Sequence, residues 1–289
     1  MTIFSPAKIN LYLRIVGKRP DGYHELETVM LPLAFGDQIT LQSRKTGITL
    51  ACDDPRLPTD DSNLAVRAAK ALGTTKGARI SLKKRTPLAA GLGGGSSNAA
   101  TTMLGLDQLW KLNAPSDKLH TLAASLGSDI NFFLAGGAAL CRGRGEKIEP
   151  IPCKLSAAIL LVNPGFGIST KWAYESWARA AKESRLTAPP PEVSLLLHAL
   201  AKDDLAGVSR CLFNSLEAPS IRKFPVLELI KDAMRDGGAV GALMSGSGAT
   251  VFGLFPDAKL AKASAQDVRE QFGPSMWTQV TRFAPVRPA

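Results

Sequence analysis

Two glycine-rich segments carry the clearest chemical signal in this 289-residue chain. The first is Pro87-Leu88-Ala89-Ala90-Gly91-Leu92-Gly93-Gly94-Gly95-Ser96-Ser97. Backbone N–H groups in such a run can face an anion with no Cβ in the way. A helix starting directly after it adds its N-terminal partial positive charge. Neither common nucleotide fingerprint is present: no Gly-Lys-Ser/Thr occurs, and Ser96 stands where the last glycine of G-x-G-x-x-G would fall. A plain strand-to-helix connection is the competing reading. An ordered Gly-x-Gly-Gly-Gly-Ser run is entropically costly unless something fills it, so phosphate binding is preferred. The second segment, Ser245-Gly246-Ser247-Gly248, reads by itself as a hairpin turn. Lys8 alone reads as a solvated surface lysine, and Asp129, after Gly127-Ser128, as a helix cap.

The elements that would position these residues follow from periodicity. Ile9 to Val16 alternates as a strand, with Lys8 and Asn10 on the face opposite Ile9, Leu11, Leu13 and Ile15. Pro20-Asp21-Gly22 turns the chain, and Glu25 to Leu33 returns it; further strands are predicted at Asp37–Ser43 and Ile48–Cys52. A helix opens near Ser62 or Asn63, and a strand over Ala78–Lys84 enters the glycine loop. Helices are expected at Asn98–Lys111 and from Ser116, then a short apolar segment at Ile130–Leu134. After a boundary near Pro150–Ser156 come a strand at Ala157–Val162 and a helix from Thr170. Pro189-Pro190-Pro191 marks a surface excursion, with helices over much of 192–236. Strands at Gly241–Met244, Ala249–Phe255 and Trp277–Phe283, with a helix at Asp257–Phe272, complete a β-α-β-β-α-β order, the split-βαβ signature with extra helices inserted.

Composition bounds the partners. The chain is 45% hydrophobic and 21% charged, which excludes a disordered or fibrous protein, and its length allows roughly three quarters of its unfolded surface to be buried. No apolar run approaches the ~20 residues of a membrane helix, and Lys8, Asn10 and Arg14 interrupt any signal-like stretch. A cytoplasmic protein is expected. The four cysteines and three histidines show no metal-ligand spacing, so no metal site and no disulfide framework are expected. A net charge of +10 favours an anionic partner. The cations are scattered and aromatics few, which tilts the balance toward phosphate chemistry and away from nucleic acid.

Taken together, the motifs show a resemblance. Pro6-Ala7-Lys8-Ile9-Asn10-Leu11, followed by Gly17-Lys18-Arg19-Pro20-Asp21-Gly22-Tyr23-His24-Glu25-Leu26, resembles the first motif of the GHMP small-molecule kinases. Pro87 to Ala100 is similar to that family's ATP loop, and Met244 to Phe252 to its third, glycine-rich motif. Asp21-Gly22-Tyr23-His24 singles out the branch acting on a cytidine diphosphate-linked methylerythritol from relatives acting on homoserine, mevalonate or galactose. Ala89, Asn98, Ala249 and Ser215 depart from the residues usual at those positions.

The resemblance implies an α+β fold of two domains: a ribosomal S5 domain-2-like, ATP-binding domain over 1–153 and a ferredoxin-like, substrate-binding domain over 154–289. It implies ATP-dependent phosphorylation of the substrate's 2-hydroxyl, a step of non-mevalonate isoprenoid synthesis. Asp129 would be the base and Lys8 the cation pairing with it and meeting the phosphoryl group. Residues 87–97 would bind ATP, with Mg2+ carried in by the nucleotide and helped by Ser97. Tyr23, His24, Tyr174 (or Trp172 in its place), Asn10, Gly246 and Ser247 would bind the substrate, the cytosine lying between two aromatic rings and read by His24. A monomer or weak dimer, with no nucleic-acid or membrane partner, completes the expectation. Two alternatives stay open: a GHMP kinase for another small alcohol, and a basic nucleic-acid-binding protein of related fold.

Overall fold

In the computed structural model, which describes residues 1–183 and 189–284, two sheets are built from chain segments that alternate as the sequence suggests. The first centres on a long antiparallel pair, β1 (Thr2–Lys18) and β2 (His24–Arg44). β3 (Ile48–Cys52), α1 (Leu64–Ala71), β4 (Gly77–Lys83), α2 (Gly94–Trp110), α3 (Ser116–Leu126), α4 (Ile130–Ala135), β5 (Ala139–Gly143) and β6 (Lys147–Pro150) follow. The strand order is β3-β4-β2-β1, with β5 pairing a separate stretch of β2 and β6 pairing β5.

Three boundaries differ from expectation. The two strands expected at 25–33 and 37–43 are one continuous strand. Gly36 allows this, because a Cβ there would stand 2.1 Å from the Ser5 carbonyl oxygen on β1. β5 and β6 occupy a stretch read as glycine punctuation. Helix α2 begins at Gly94 instead of Asn98, with Gly93 as its cap in the left-handed conformation (φ 69°). The last glycines of the loop are therefore the first turn of the helix. Glycine lowers helix propensity by about 1 kcal/mol per residue, so α2 is held by packing rather than by intrinsic preference. It is buried on almost every side, and a Cβ at its Gly105 would meet Ile3 and Leu41 at 2.5 Å.

The second sheet draws its strands from β7 (Ala158–Asn163), β9 (Gly241–Met244), β10 (Val251–Phe255) and β11 (Trp277–Arg282), in the antiparallel order β11-β7-β10-β9. Between β7 and β9 lie α5 (Thr170–Lys182), α6 (Val193–Ala201), α7 (Leu205–Arg210), β8 (Phe213–Asn214), α8 (Glu217–Lys223) and α9 (Val226–Asp236); α10 (Ala258–Phe272) joins β10 to β11. Alternation sorts β7 cleanly. Leu160 and Val162 pack with Leu227, Ile230, Ala261 and Val268 of α9 and α10. Ile159 and Leu161 face a core shared with Ala7, Ile9 and Leu11 of β1. The two sheets are also stitched by β8, which pairs in parallel with β1 at Tyr12 and Leu13. Among the described residues no helix is long and apolar enough to cross a membrane, and the four cysteines are free.

Candidate active site

β1 delivers Lys8 and Asn10 side by side, as the alternation requires, but their face is not solvated. Lys8 is 4% exposed and Asn10 3%, and both line a cavity of about 1050 Å³. The Lys8 ammonium donates to Asn10 Oδ1 at 2.5 Å, and Asn10 in turn donates to Thr28 Oγ1 at 2.8 Å. Asp129 approaches from the start of α4, its Oδ2 3.6 Å from Lys8 Nζ. Its side chain makes no capping hydrogen bond to the helix, so the cap reading is corrected: the carboxylate turns to the cavity and to Lys8.

The glycine loop lies against the same lysine. The Lys8 N–H donates to the Leu92 carbonyl at 2.9 Å. A Cβ on Gly93 would sit 3.0 Å from Lys8 Cγ and from Phe133, so only glycine lets the lysine stem pass. Residues 87–96 line the cavity. Ser97 does not: it is fully buried, and its hydroxyl shares a hydrogen bond with Ser5 Oγ at 2.8 Å, which corrects its expected place beside a metal ion. The second glycine segment interlocks with the first. Ser245 Oγ donates to the Gly91 carbonyl at 3.0 Å, and Thr250 N–H donates to that of Ala90 at 3.3 Å. Gly246 and Ser247 line the cavity, Gly246 close to Lys8 Nζ and Asn10.

Behind both loops lie polar anchors that the sequence did not single out as a site. Asp37, buried in β2, accepts from the N–H groups of Arg85 and Thr86, each at 2.8 Å, from Asn98 Nδ2 at 3.0 Å and from the Lys84 ammonium. It ties the entry of the glycine loop to β2 and the side of α2. Asn214 of β8 donates both amide hydrogens, to the Met244 and Gly246 carbonyls at 2.8 Å, and Glu217 accepts the Met244 N–H at 2.8 Å. Burial pushes the Glu217 carboxyl up, opposed by the ammonium of Lys231.

The hairpin joining β1 to β2 carries the aromatic end of the site. Gly22 takes a left-handed turn (φ 85°), and Arg19 N–H donates to the Tyr23 carbonyl at 2.8 Å, closing the turn. Tyr23 is 56% exposed at the cavity wall. His24 stacks on Tyr174 of α5 with centroids 5.1 Å apart, and Trp177 meets the imidazole edge-on. Centroids 5.1 Å apart are those of two rings in direct contact, so no base lies between His24 and Tyr174. Burial, then the charge of Lys18, lowers the His24 pKa, favouring a neutral imidazole. Burial, then the charge of Asp129, raises the Tyr174 hydroxyl and keeps it protonated. Trp172 lies outside the cavity lining, edge-on to Phe224 with Lys223 over its ring.

The cavity extends past the glycine loop to Leu57, Asn63, Leu64 and Leu82. Nothing in the sequence distinguishes these from core or cap residues; Asn63 does cap α1, accepting from Ala65 N–H at 2.9 Å. Among the described residues no group of three or more His, Cys, Asp or Glu side chains could hold a metal ion.

Two sheets meeting over a lysine, a carboxylate and a glycine loop at a helix start define the architecture of the GHMP kinases. The N-terminal domain of that family matches residues 63–137 and its C-terminal domain residues 196–273. The 4-diphosphocytidyl-2-C-methyl-D-erythritol kinase of Synechococcus sp. (strain JA-2-3B'a(2-13)) is 42% identical, covering 98% of this chain and 94% of its own. The enzyme of the same name from Pelotomaculum thermopropionicum is 42% identical, over 93% and 94%. A crystal structure of 4-(cytidine 5'-diphospho)-2C-methyl-D-erythritol kinase superposes with a TM-score of 0.81 at 36% identity, covering 99% of this chain and all of that one. The chain belongs to the GHMP kinase family, in its 4-diphosphocytidyl-2-C-methyl-D-erythritol kinase branch. Of the readings the sequence left open, this one selects an enzyme.

Proposed function

We propose that the protein transfers the γ-phosphoryl group of ATP to the 2-hydroxyl of 4-diphosphocytidyl-2-C-methyl-D-erythritol, a step of isoprenoid synthesis. The observation that carries the reading is the Lys8–Asp129 pair, 3.6 Å apart in the cavity beside the glycine loop. Phosphoryl transfer asks a protein chiefly for position and for charge at the equatorial oxygens. Asp129 accepts the hydroxyl proton as the oxygen attacks, and Lys8, held by Asn10, meets the charge on the transferring group.

Residues 87–96 cradle the phosphates with backbone N–H groups and the start of α2, and the apolar slot of Leu57, Leu64 and Leu82 suits the nucleotide base. The cytosine enters between Tyr23 and the His24–Tyr174 pair, where a neutral His24 reads its polar edge. Stacking supplies about 1–3 kcal/mol per contact, and His24 supplies the discrimination that stacking lacks. In this division residues 1–153 hold the nucleotide and catalytic pair, and 154–289 close the acceptor side. Magnesium would come with ATP; Ser97 is turned to Ser5, and among the described residues no group of three or more His, Cys, Asp or Glu side chains could hold it.

The test is Asp129→Asn assayed with the full acceptor and with a panel of small alcohols lacking cytidine. Because Asp129 caps nothing, the fold should survive while kcat falls by about 10²- to 10⁴-fold. Wild-type turnover in the variant, or equal use of cytidine-free alcohols by the wild type, refutes the reading.

A further inference from the structure

Arg144 is a cation on the cavity wall that the proposed chemistry leaves unused. It follows β5, and its guanidinium carbon lies 4.8 Å from the centre of the Tyr23 ring. Among the described residues no carboxylate side chain lies within ion-pairing distance of it. Asp21, which senses its charge, is paired with Arg19 at 3.2 Å and accepts the Tyr23 N–H at 3.1 Å. The backbone at Arg144 is fixed. Its N–H donates to the Glu146 carboxylate at 2.5 Å, and the next N–H, of Gly145, donates to the Arg142 carbonyl at 3.1 Å. Gly145 in turn borders the catalytic corner: a Cβ there would stand 3.9 Å from Asp129 Oδ1. A guanidinium resting on an aromatic face keeps its N–H edges free for a second partner, and that fork matches phosphate oxygens.

The order of groups along the wall decides what that partner is. The Arg144 guanidinium lies against Tyr23 at the hairpin, and the next residue, Gly145, lies against Asp129 of the catalytic pair. The proposed acceptor presents base, diphosphate and reacting alcohol in the same order. We infer that Arg144 is a substrate-binding residue whose guanidinium, supported on one face of Tyr23, holds the acceptor's diphosphate while the base uses the ring's other face. The inference rests on the acceptor proposed above.

The experiment compares cytidine diphosphate with cytidine as ligands of the wild type, Arg144→Met and Arg144→Lys, with steady-state kinetics on the full acceptor. The wild type should bind cytidine diphosphate more tightly than cytidine. Charge-assisted hydrogen bonds predict that Arg144→Met loses about 10- to 100-fold in cytidine diphosphate affinity. Its cytidine affinity, kcat and KM for ATP should stay at wild-type values, while KM for the acceptor rises by a comparable factor. Arg144→Lys, which keeps the charge and loses the fork, should fall between. An unchanged preference for the diphosphate in Arg144→Met overturns the assignment. So does a parallel loss of both ligands, which would make Arg144 a support for the Tyr23 ring only. A wild type that binds neither ligand removes the acceptor itself, an outcome distinct from failure of Arg144 alone.

Discussion

Asp37→Ala removes a buried carboxylate on which the entry to the glycine loop hangs. Four donors converge on it, the N–H groups of Arg85 and Thr86, the Asn98 amide and the Lys84 ammonium, and its side chain is fully buried. Breaking a buried ion pair by deleting one partner costs about 3–5 kcal/mol. The lower end applies, because Lys84 also borders the cavity and its freed ammonium can reach water. Two loop N–H groups left without an acceptor add about 1 kcal/mol or more, for a total near 4 kcal/mol. In a chain of this size that is a fall in Tm of about 6–7 °C. Calorimetry on wild type, Asp37→Ala, Lys84→Met and the double variant measures it. Lys84→Met should cost less, since Asp37 keeps three neutral donors, and the double variant should be more stable than the sum of the single losses predicts. A Tm for Asp37→Ala within about 2 °C of wild type, or strictly additive losses, refutes the argument that this carboxylate anchors the loop.

Two further outcomes follow from the same geometry. Gly91 has φ 76°, and a Cβ there would stand 2.0 Å from the Ser245 carbonyl oxygen, so Gly91→Ala must push the two glycine loops apart and weaken their hydrogen bonds. Displacement on the order of 1 Å at a reacting centre costs about 10²-fold in rate, so kcat/KM should fall by that factor, while Gly17→Ala, where a Cβ meets nothing within 4 Å, leaves it unchanged. Burial and Lys18 depress the His24 pKa below its unfolded value of about 6.5, so the unfolded chain takes up the proton first. His24's contribution to stability is therefore intact above about pH 6.5 and declines as pH falls toward the lower folded value. Denaturation midpoints across that window should slope less in His24→Gln, and equal slopes would show that His24 does not titrate as described.

What the sequence discloses and what it withholds divide along a physical line. The Asp21-Gly22 turn and the split order of the second sheet's strands are local, and both are found where the spacing puts them. The single face expected for Ile9, Leu11, Leu13 and Ile15 is not: an irregularity between Asn10 and Tyr12 puts Tyr12 with Ile9 and Leu11 in one core, and Leu13 and Ile15 in another. The start of α2 is misread because glycine propensity argues against a helix at Gly94, while the packing that holds it comes from α1, α4, β1 and β2. Asp37, after the Gly36 that lets β2 run on in close approach to β1, has no local signature. Its four donors come from 84–98, and nothing in its neighbours announces them. Arg144 is hidden for the same reason, between two glycines that read as turn punctuation. Its significance depends on Tyr23 across the hairpin and on Asp129 beside Gly145. Lys8 and Asp129 are equally unremarkable as single residues, and only the family motif pairs them in advance of the fold. The role proposed for Arg144 rests on the absence of a competing carboxylate among the described residues, which no one-dimensional pattern records. A guanidinium or ammonium free of carboxylates inside a cleft is visible only once the sheets have closed around it, and the ligand then supplies the counter-charge that the chain leaves out.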